Sequence, residues 1–273
     1  MRKSNKWVHI LLGIASFVSV FPILWLLLTS FKPVSEIYSD TFRILPKAFT
    51  IENYVDVFTR SGGVFWTWFL NSVIISILTT VIGLILSTTA AYAISRFRFR
   101  GRKGITMSFL LTQMFPGILL IVPLYIMIDQ LGLLNTYVGV VFAYLAITVP
   151  FCVMVLKNFF DAIPIEIEEA ARMDGCSQLG IFWRMVLPLS LPGLAITAFY
   201  SFLTTWNEFI IAVTFLKSHD MYTLPVGLHH FVNQFSTQYH LMAAAAMIIT
   251  VPTLLLFFFA QRLVSNRYFY KKG

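Results

Sequence analysis

An eight-residue polar stretch, EEAARMDG (Glu168 to Gly175), interrupts a long apolar part of the chain. Its first carboxylates come early and its arginine comes late, which is the distribution that the dipole of a helix favours. Pro164 suits a first helical turn because its missing N–H has no partner there. Gly175 suits the left-handed backbone that ends many helices. The stretch therefore predicts a short helix over Pro164–Asp174.

One face of this predicted helix is narrow, in that it carries small side chains, and it could contact another protein. Helical spacing places on it Ile163, Ile167, Ala170, Ala171 and Asp174. The two alanines let a second surface approach closely, and a helix laid in a partner's groove is a common mode of recognition. The alternative is an amphipathic helix resting on lipid. Its acidic polar face disfavours that alternative, because anionic lipid would repel it.

The rest of the chain has the composition of a membrane protein. Hydrophobic residues make up 58% of its 273 residues and charged residues only 12%, whereas soluble domains have about 25% charged residues. The net charge is +8, and the basic residues cluster in short loops between apolar runs, which indicates membrane orientation rather than nucleic-acid binding. The two cysteines, Cys152 and Cys176, provide neither a disulfide framework nor a metal-site spacing.

Six apolar stretches are long enough to cross a bilayer, which takes about 20 residues. Period-two alternation is absent, so we expect helices. The first stretch exceeds the roughly 7–15 apolar residues of a signal peptide and is expected to be retained. Prolines fall in five of the six and predict kinks. The stretches are Val8–Phe31, Phe69–Ile94, Ile105–Ile128, Thr136–Leu156, Leu189–Leu216 and Leu241–Val264.

The distribution of Lys and Arg predicts the orientation. The N-terminus, the loop Arg96–Lys103, the region from Lys157 to Arg184 and the C-terminus together hold 15 of these residues, and the opposite side holds 5. Because basic residues accumulate in cytoplasmic loops, both termini and EEAARMDG are expected in the cytoplasm. Residues Lys32–Trp68 and Lys217–His240 are expected outside.

EEAARMDG, followed by MVLP at Met185–Pro188, is similar to the EAA loop of the membrane subunits of bacterial ABC importers. The family pattern is Glu-Ala-Ala, three residues, Gly, nine residues, Ile, one residue, Leu-Pro, and Met185 stands where Ile is usual. Other segments resemble the carbohydrate-uptake branch (maltose/oligosaccharide type), in particular its shorter six-span subunit. They are LPKAFTIENYVDVF, AYAISRFRFRGRK, LGLLNTYVGV and TTWNEFIIAV. The positions that match the EAA pattern are Glu169, Ala170, Ala171, Gly175, Leu187 and Pro188.

This resemblance implies an all-α membrane protein with six transmembrane helices in the type I ABC importer (MetI-like) permease fold. The expected partners are a second, homologous permease in a heterodimer, a dimer of cytoplasmic ATPases, an extracellular or periplasmic sugar-binding protein, and membrane lipid. ATP and Mg would be used by the ATPase, so this chain is expected to hold no cofactor, metal or catalytic residue. The residues expected to couple to the ATPase are Glu168, Glu169, Ala170, Ala171, Asp174, Gly175, Leu187 and Pro188.

The same resemblance suggests a division of the chain. Residues 1–68 are expected to form an N-terminal transmembrane helix and an external loop. Residues 69–264 would form the transmembrane domain with a coupling loop at 161–188, and residues 265–273 a cytoplasmic tail. The tail ends in SNRYFYKKG, whereas the maltose-type subunit has a Gly-rich tail that reaches the ATPase. That contact is therefore not carried over.

Three neighbouring residues, Trp206, Asn207 and Glu208, are candidates for the path of a transported solute. A carboxylate inside a span costs about 2.5–3.5 kcal/mol on insertion scales and commonly marks a functional position. An aromatic face, an amide and a carboxylate can stack on a sugar and hydrogen-bond to it. The rise along one continuous helix from Pro192 places Glu208 in the outer third of its span. The alternative is a polar clamp from Glu208 to a Ser, Thr or Asn on a neighbouring helix.

Other functions fit less well. A secondary transporter would show inverted repeats or several intramembrane carboxylates, and one carboxylate without a repeat disfavours it. An enzyme would need a nucleophile, His cluster or metal spacing, and a phosphate-binding loop of the Gly-x4-Gly-Lys-Ser/Thr type is absent from the sequence. The sequence therefore predicts a permease subunit that imports a sugar, with an oligosaccharide expected. The same architecture importing glycerol phosphate or another polyol is the alternative.

Overall fold

The computed structural model describes residues 6–39, 43–59, 63–234 and 238–268, and for 230–234 and 263–268 it describes the backbone alone. Every regular element within these ranges is helical. The helices are α1 Lys6–Ser30, α2 Val34–Ile37, α3 Glu52–Thr59, α4 Val64–Arg96, α5 Arg102–Met114, α6 Ile121–Gln130, α7 Tyr137–Asp161, α8 Ile165–Met173, α9 Gln178–Ile181, α10 Leu187–Leu189, α11 Leu191–Trp206, α12 Ile210–Phe215, α13 Leu224–Gln234 and α14 Tyr239–Tyr268. A 3₁₀ turn (Gly117–Leu120) precedes α6, and a π-helical turn (Phe182–Val186) precedes α10.

The chain forms two compact units. The first comprises Met1–Trp66 and Gly227–Pro252, and the second comprises Thr67–Val226 and Thr253–Gly273. In the first unit, the buried amide of Asn53 donates to the backbone oxygens of Ser30 (2.8 Å) and Lys32 (2.9 Å). These bonds satisfy carbonyls that the end of α1 would otherwise leave unpaired.

Four helices are individually long and apolar enough to cross a membrane: α1, α4, α7 and α14. They correspond to the first, second, fourth and sixth predicted spans. The third predicted span is built from two helical segments that meet at 107°. At the start of the fifth, the segment Gln178–Leu189 meets Leu191–Trp206 at 76°. By length and composition, the described ranges therefore hold four candidate spans, or up to six if each bent pair counts as one.

The helix expected over Ile105–Ile128 is interrupted at Pro116. A kink was expected at this proline, whereas the structure shows a complete break. Phe115 is extended, with φ −79° and ψ 131°, because a residue before proline is disfavoured in the helical region. The chain then re-enters a helix through the 3₁₀ turn at Gly117–Leu120 and continues as α6.

The fifth predicted span, Leu189–Leu216, is also discontinuous. Helix α11 begins at Leu191 after a bend at Ser190, and it carries a proline in its first turn, where no N–H is needed. It ends at Trp206, and α12 starts only at Ile210. The expected single helix therefore runs from Pro192 only to Trp206 and stops two residues before Glu208, and the position of Glu208 in the outer third of its span stays a prediction.

Helix α7 is the centre of the second unit. Its N-terminus is capped by Thr136, whose hydroxyl accepts from the backbone N–H of Gly139 at 3.1 Å. Helices α5, α11 and α12 pack along it. The contact with α11 is close at Gly193, where an added Cβ would lie 2.6 Å from the ring of Phe159. A side chain at that position would therefore force the two helices apart.

Candidate functional site

The helix predicted for the EEAARMDG stretch is present as α8, Ile165–Met173. It starts one residue after Pro164, which occupies the N-cap position. At its other end Gly175 adopts φ +82°, as predicted. The N–H of Gly175 bonds to the oxygen of Arg172, and the N–H of Cys176 bonds to the oxygen of Ala171, both at 3.0 Å. This pair of bonds is the Schellman arrangement that closes a helix.

The narrow face predicted for this helix is divided between the interior and the surface. Ile163 and Ala171 are buried, at 8% and 3% exposure, in a cluster that includes Phe160 and Ile181. Ile167, Ala170 and Asp174 are exposed. The prediction of one shared face was therefore wrong, because Ile163 and Ala171 pack against this chain's own helices.

Glu168 points inward and forms an ion pair with Arg96, the last residue of α4. The Arg96 Nε atom donates to Glu168 Oε1 at 2.5 Å, and the two side chains are 9% and 3% exposed. The hydroxyl of Tyr92 donates to the other carboxylate oxygen at 3.1 Å. The sequence placed Glu168 near the N-terminus of the helix and among the residues expected to couple to the ATPase, but its side chain is buried and turned away from the outward side of α8. In the structure it also fastens α8 to α4.

Arg96 joins further elements at the same point. Its Nη2 atom donates to the backbone oxygens of Phe160 (2.8 Å) and Ile163 (3.0 Å), near the end of α7. The Phe160 oxygen is in the last turn of α7 and also accepts from the N–H of Ile163 at 3.0 Å, and the Ile163 oxygen lies just beyond the helix. One guanidinium therefore fixes the relative position of α4, α7 and α8.

A chain of polar contacts continues from Tyr92 to the segment after α8. Gln178 donates from Nε2 to the Tyr92 hydroxyl at 2.6 Å, and its amide oxygen accepts from Arg172 at 2.8 Å. Ser177, just before, caps α9 by accepting from the N–H of Gly180 at 3.2 Å. We call Arg96, Glu168, Tyr92, Gln178 and Arg172 together the Arg96 network.

The outward side of α8 is exposed and partly apolar. Glu169 and Ala170 lie on it with Ile167 and Asp174. Met173, at the end of the helix, is 89% exposed. Beyond the helix, Leu179 and Trp183 are 72% and 65% exposed. Clusters of exposed apolar side chains rimmed by polar ones are typical of protein interaction surfaces.

The two remaining residues of the motif, Leu187 and Pro188, lie away from this outward surface. They open the short helix α10, and both are partly buried. The backbone before them forms the π-helical turn Phe182–Val186, and a bend follows at Ser190. Leu187 and Pro188 therefore lie where the segment after α8 turns into α11.

Glu208 lies in the break between α11 and α12 and clamps two helices. Its Oε2 atom accepts from the Tyr144 hydroxyl on α7 at 2.9 Å. Its carboxylate also accepts from the backbone N–H of Ile211 (2.9 Å to Oε1) and of Ala212 (3.1 Å to Oε2). These are the N–H groups that the start of a helix leaves unpaired. The arrangement is the predicted polar clamp, with a tyrosine as its partner instead of a Ser, Thr or Asn.

The other two candidates for the solute path lie apart from this clamp. Trp206 is 1% exposed, stacked on Phe202 (5.4 Å between centroids) and edge-on to Phe69 (5.8 Å). Asn207 is exposed, and its amide donates to the oxygen of Leu203 at 2.9 Å. Contact of the three residues with a solute remains a prediction.

The residues that sequence reasoning missed are the long-range partners. Arg96 was counted only as a loop charge, and Tyr92 and Tyr144 only as parts of apolar spans. A charged residue at the end of a span, opposite a carboxylate in the polar stretch, was the available signal. Among the described residues, no cluster of three or more His, Cys, Asp or Glu could hold a metal ion, and both cysteines are unpaired thiols.

Comparisons with known proteins identify the family to which the chain belongs. Residues 83–270 match the model of the family described as "Binding-protein-dependent transport system inner membrane component". The inner membrane ABC transporter permease protein YcjP of Escherichia coli is 42% identical over 219 residues, which cover 80% of this chain and 78% of the relative. The arabinooligosaccharides transport system permease protein AraQ of Halalkalibacterium halodurans is 36% identical, with 90% of this chain and 88% of the relative covered.

Among solved structures, a bacterial ABC transporter involved in the import of the acidic polysaccharide alginate shares the fold. The TM-score is 0.82 at 23% identity, with 96% of this chain and 98% of the other covered. The matched family residues run from the middle of α4 into the undescribed C-terminus, and they include the Arg96 network and the whole of α8. The chain belongs to the family of inner membrane permease components of binding-protein-dependent ABC transport systems.

Proposed function

We propose that this chain is a permease subunit that moves an oligosaccharide into the cytoplasm and couples that movement to a separate ATPase through α8. Two named likenesses support a sugar substrate: a relative assigned to arabinooligosaccharides and a shared fold with an alginate importer. ATP and Mg²⁺ would act in the ATPase, and this chain would supply the path and the docking helix.

The geometry of α8 is the observation that supports the coupling role. Its inner side is fastened by a buried ion pair and by Schellman closure at Gly175. Its outer side carries a small residue, Ala170, beside the exposed Met173 and Ile167. Arg96 connects α8 to both α4 and α7. A displacement of α8 by a docked partner would therefore displace α4 and α7 as well.

The proposed assembly contains a second, homologous permease, a dimer of ATPases and a sugar-binding protein on the outer side. The binding protein and the inner membrane are part of the family's description. The pairing of two different permeases and the cytoplasmic position of both termini follow from the resemblance and from the excess of basic residues in one set of loops.

Site-specific photo-cross-linking tests the docking role. A photoreactive phenylalanine analogue would replace Met173, which is 89% exposed on α8, in the assembled transporter. The control is the same replacement at Met114, which is 78% exposed at the end of α5. We expect an adduct with the ATPase from position 173 and none from position 114. An adduct from 114 alone, or none from 173 in a transporter that contains the ATPase, would show that α8 is not the docking helix.

A further inference from the structure

A second site lies at the cytoplasmic end proposed for α5 and α7, away from α8. The two helices pack side by side in the second unit. Between them is a cavity of about 380 Å³. It is lined by Arg102, Lys103, Thr106, Met107, Leu110 and Lys157.

The cavity has a basic end and an apolar end. Arg102 and Lys103 are the first two residues of α5, and Lys157 is one turn before the end of α7. Met107 and Leu110 follow on α5 and are 55% and 42% exposed. Cations beside an exposed apolar wall match a molecule that has an anionic head and a hydrocarbon tail.

The charges in this cavity are only partly compensated. Lys157 pairs with Asp161 at 2.5 Å. Arg102 donates to the oxygen of Ser95 at 3.5 Å, which uses one of the five N–H donors of a guanidinium. Within the described part of the chain, Lys103 has no hydrogen-bond or ion-pair partner. Three cations against one carboxylate leave the cavity positive.

The start of α5 adds to this positive charge. Its first turn holds two cations and no acidic residue, and its N-cap, Gly101, has no side chain to cap it. The N-terminus of a helix is the positive end of its dipole, so basic residues there are unfavourable. A bound anion would offset this arrangement, which otherwise conflicts with local helix preferences.

We propose that this cavity binds the phosphate head of one anionic phospholipid from the cytoplasmic leaflet, with an acyl chain along Met107 and Leu110. The leaflet depends on the orientation given under the proposed function, whereas the binding itself does not. Basic pockets between membrane helices on the cytoplasmic side are a recognised type of lipid site. The loop before α5 also presents exposed Phe97 and Phe99, at 45% and 41%, which suits the edge of a bilayer.

Lipid retention measured by native mass spectrometry tests the proposal. The transporter would be purified with its partner subunits, stripped of lipid in detergent, and titrated with phosphatidylglycerol or phosphatidylcholine. The test variant is Arg102→Gln with Lys103→Gln. The matched control, Arg98→Gln with Arg100→Gln, removes the same charge from exposed residues just before α5 that do not line the cavity.

We expect the unmodified transporter to retain phosphatidylglycerol in preference to phosphatidylcholine. The test variant should bind phosphatidylglycerol about 30-fold more weakly, at roughly a fivefold loss for each surface cation. The control variant should stay within about threefold. Equal losses in both variants would overturn the proposal, since they would indicate diffuse attraction by net charge. Displacement of the lipid by millimolar inorganic phosphate would also overturn it, because a free anion would then be the ligand.

A single substitution provides a second test that remains informative if the double variant misfolds. Lys103→Gln removes a side chain without a partner in the described structure, so it should leave assembly intact and weaken binding about fivefold. Unchanged binding of phosphatidylglycerol by Lys103→Gln would contradict the proposed lipid site. Lipid retention is measured without transport or cross-linking. A negative result would therefore count against the lipid site and leave the proposed docking of α8 to the ATPase untouched.

Discussion

Removing the Glu168 carboxylate should loosen α8 while leaving the rest of the transporter assembled. In Glu168→Ala, the Arg96 guanidinium stays largely buried and loses its ion-pair partner, and Tyr92 loses its acceptor. A charge-assisted hydrogen bond contributes about 1.5–3 kcal/mol and a neutral one about 1 kcal/mol. Breaking a buried ion pair by removing one partner costs about 3–5 kcal/mol. Arg96 keeps its hydrogen bonds to the oxygens of Phe160 and Ile163. We therefore expect α8 to lose about 3 kcal/mol of stability, the low end of that range.

Hydrogen exchange of the α8 amides in the assembled transporter measures this change. A loss of about 3 kcal/mol in the stability of α8 corresponds to about 100-fold faster exchange. Glu169→Ala is the matched control, since the neighbouring carboxylate is exposed and its removal should change stability by about 0.5 kcal/mol or less. Arg96→Ala should cost more than Glu168→Ala, because it also removes the guanidinium hydrogen bonds to the oxygens of Phe160 and Ile163. Equal protection of α8 in Glu168→Ala and Glu169→Ala would refute the idea that the buried pair holds this helix.

Three further substitutions test other parts of the account. Gly175→Val places a β-branched residue at φ +82°, which costs about 1–2 kcal/mol or more. We expect loss of coupled ATP hydrolysis with normal membrane insertion, whereas Gly175→Asn, which tolerates this backbone, should retain hydrolysis; full activity in the valine variant contradicts the prediction. Glu208→Leu leaves the N–H groups of Ile211 and Ala212 without their acceptor, at about 1–3 kcal/mol each, so uptake should fall sharply. Glu208→Gln should keep much of the uptake, because an amide oxygen can still accept these hydrogen bonds. Unchanged uptake and assembly in the leucine variant would show that Glu208 has no role in transport. In a Cys-free background, an impermeant thiol reagent applied to intact cells should label Glu52→Cys and not Arg98→Cys; the reverse pattern inverts the topology.

The helix at EEAARMDG was predictable because its signals are local. Early carboxylates, a late arginine and a glycine at the end specify a helix and its stop within a few residues, and the structure has both. Which side of that helix faces inward was not predictable from these signals. Glu168 has a sufficient local reason to sit near a helix N-terminus, and its buried partner lies 72 residues away at Arg96.

The breaks in the membrane helices show a similar limit. Proline at positions 22, 150 and 252 lies inside the continuous helices α1, α7 and α14. Pro116, by contrast, ends a helix. The same residue type therefore gives different outcomes, and they do not follow burial, since Pro22 is exposed and Pro150 is buried, yet both helices are continuous. The break at Asn207–Phe209 contains no proline, and Glu208 stabilises it through Tyr144, a partner remote in sequence.

The outward side of α8 is proposed to couple ATP hydrolysis in a partner chain to oligosaccharide import. Uptake and ATP hydrolysis by the complete transporter in proteoliposomes, with its binding protein and sugar, test this most directly. The test variant is Ala170→Trp, which puts a large side chain on the outward side of α8, and the control is Ala162→Trp, at another exposed alanine just before α8. We expect Ala170→Trp to abolish both sugar-stimulated hydrolysis and uptake, and Ala162→Trp to retain both. Equal uptake by the two variants, or uptake without ATP, would contradict this proposal.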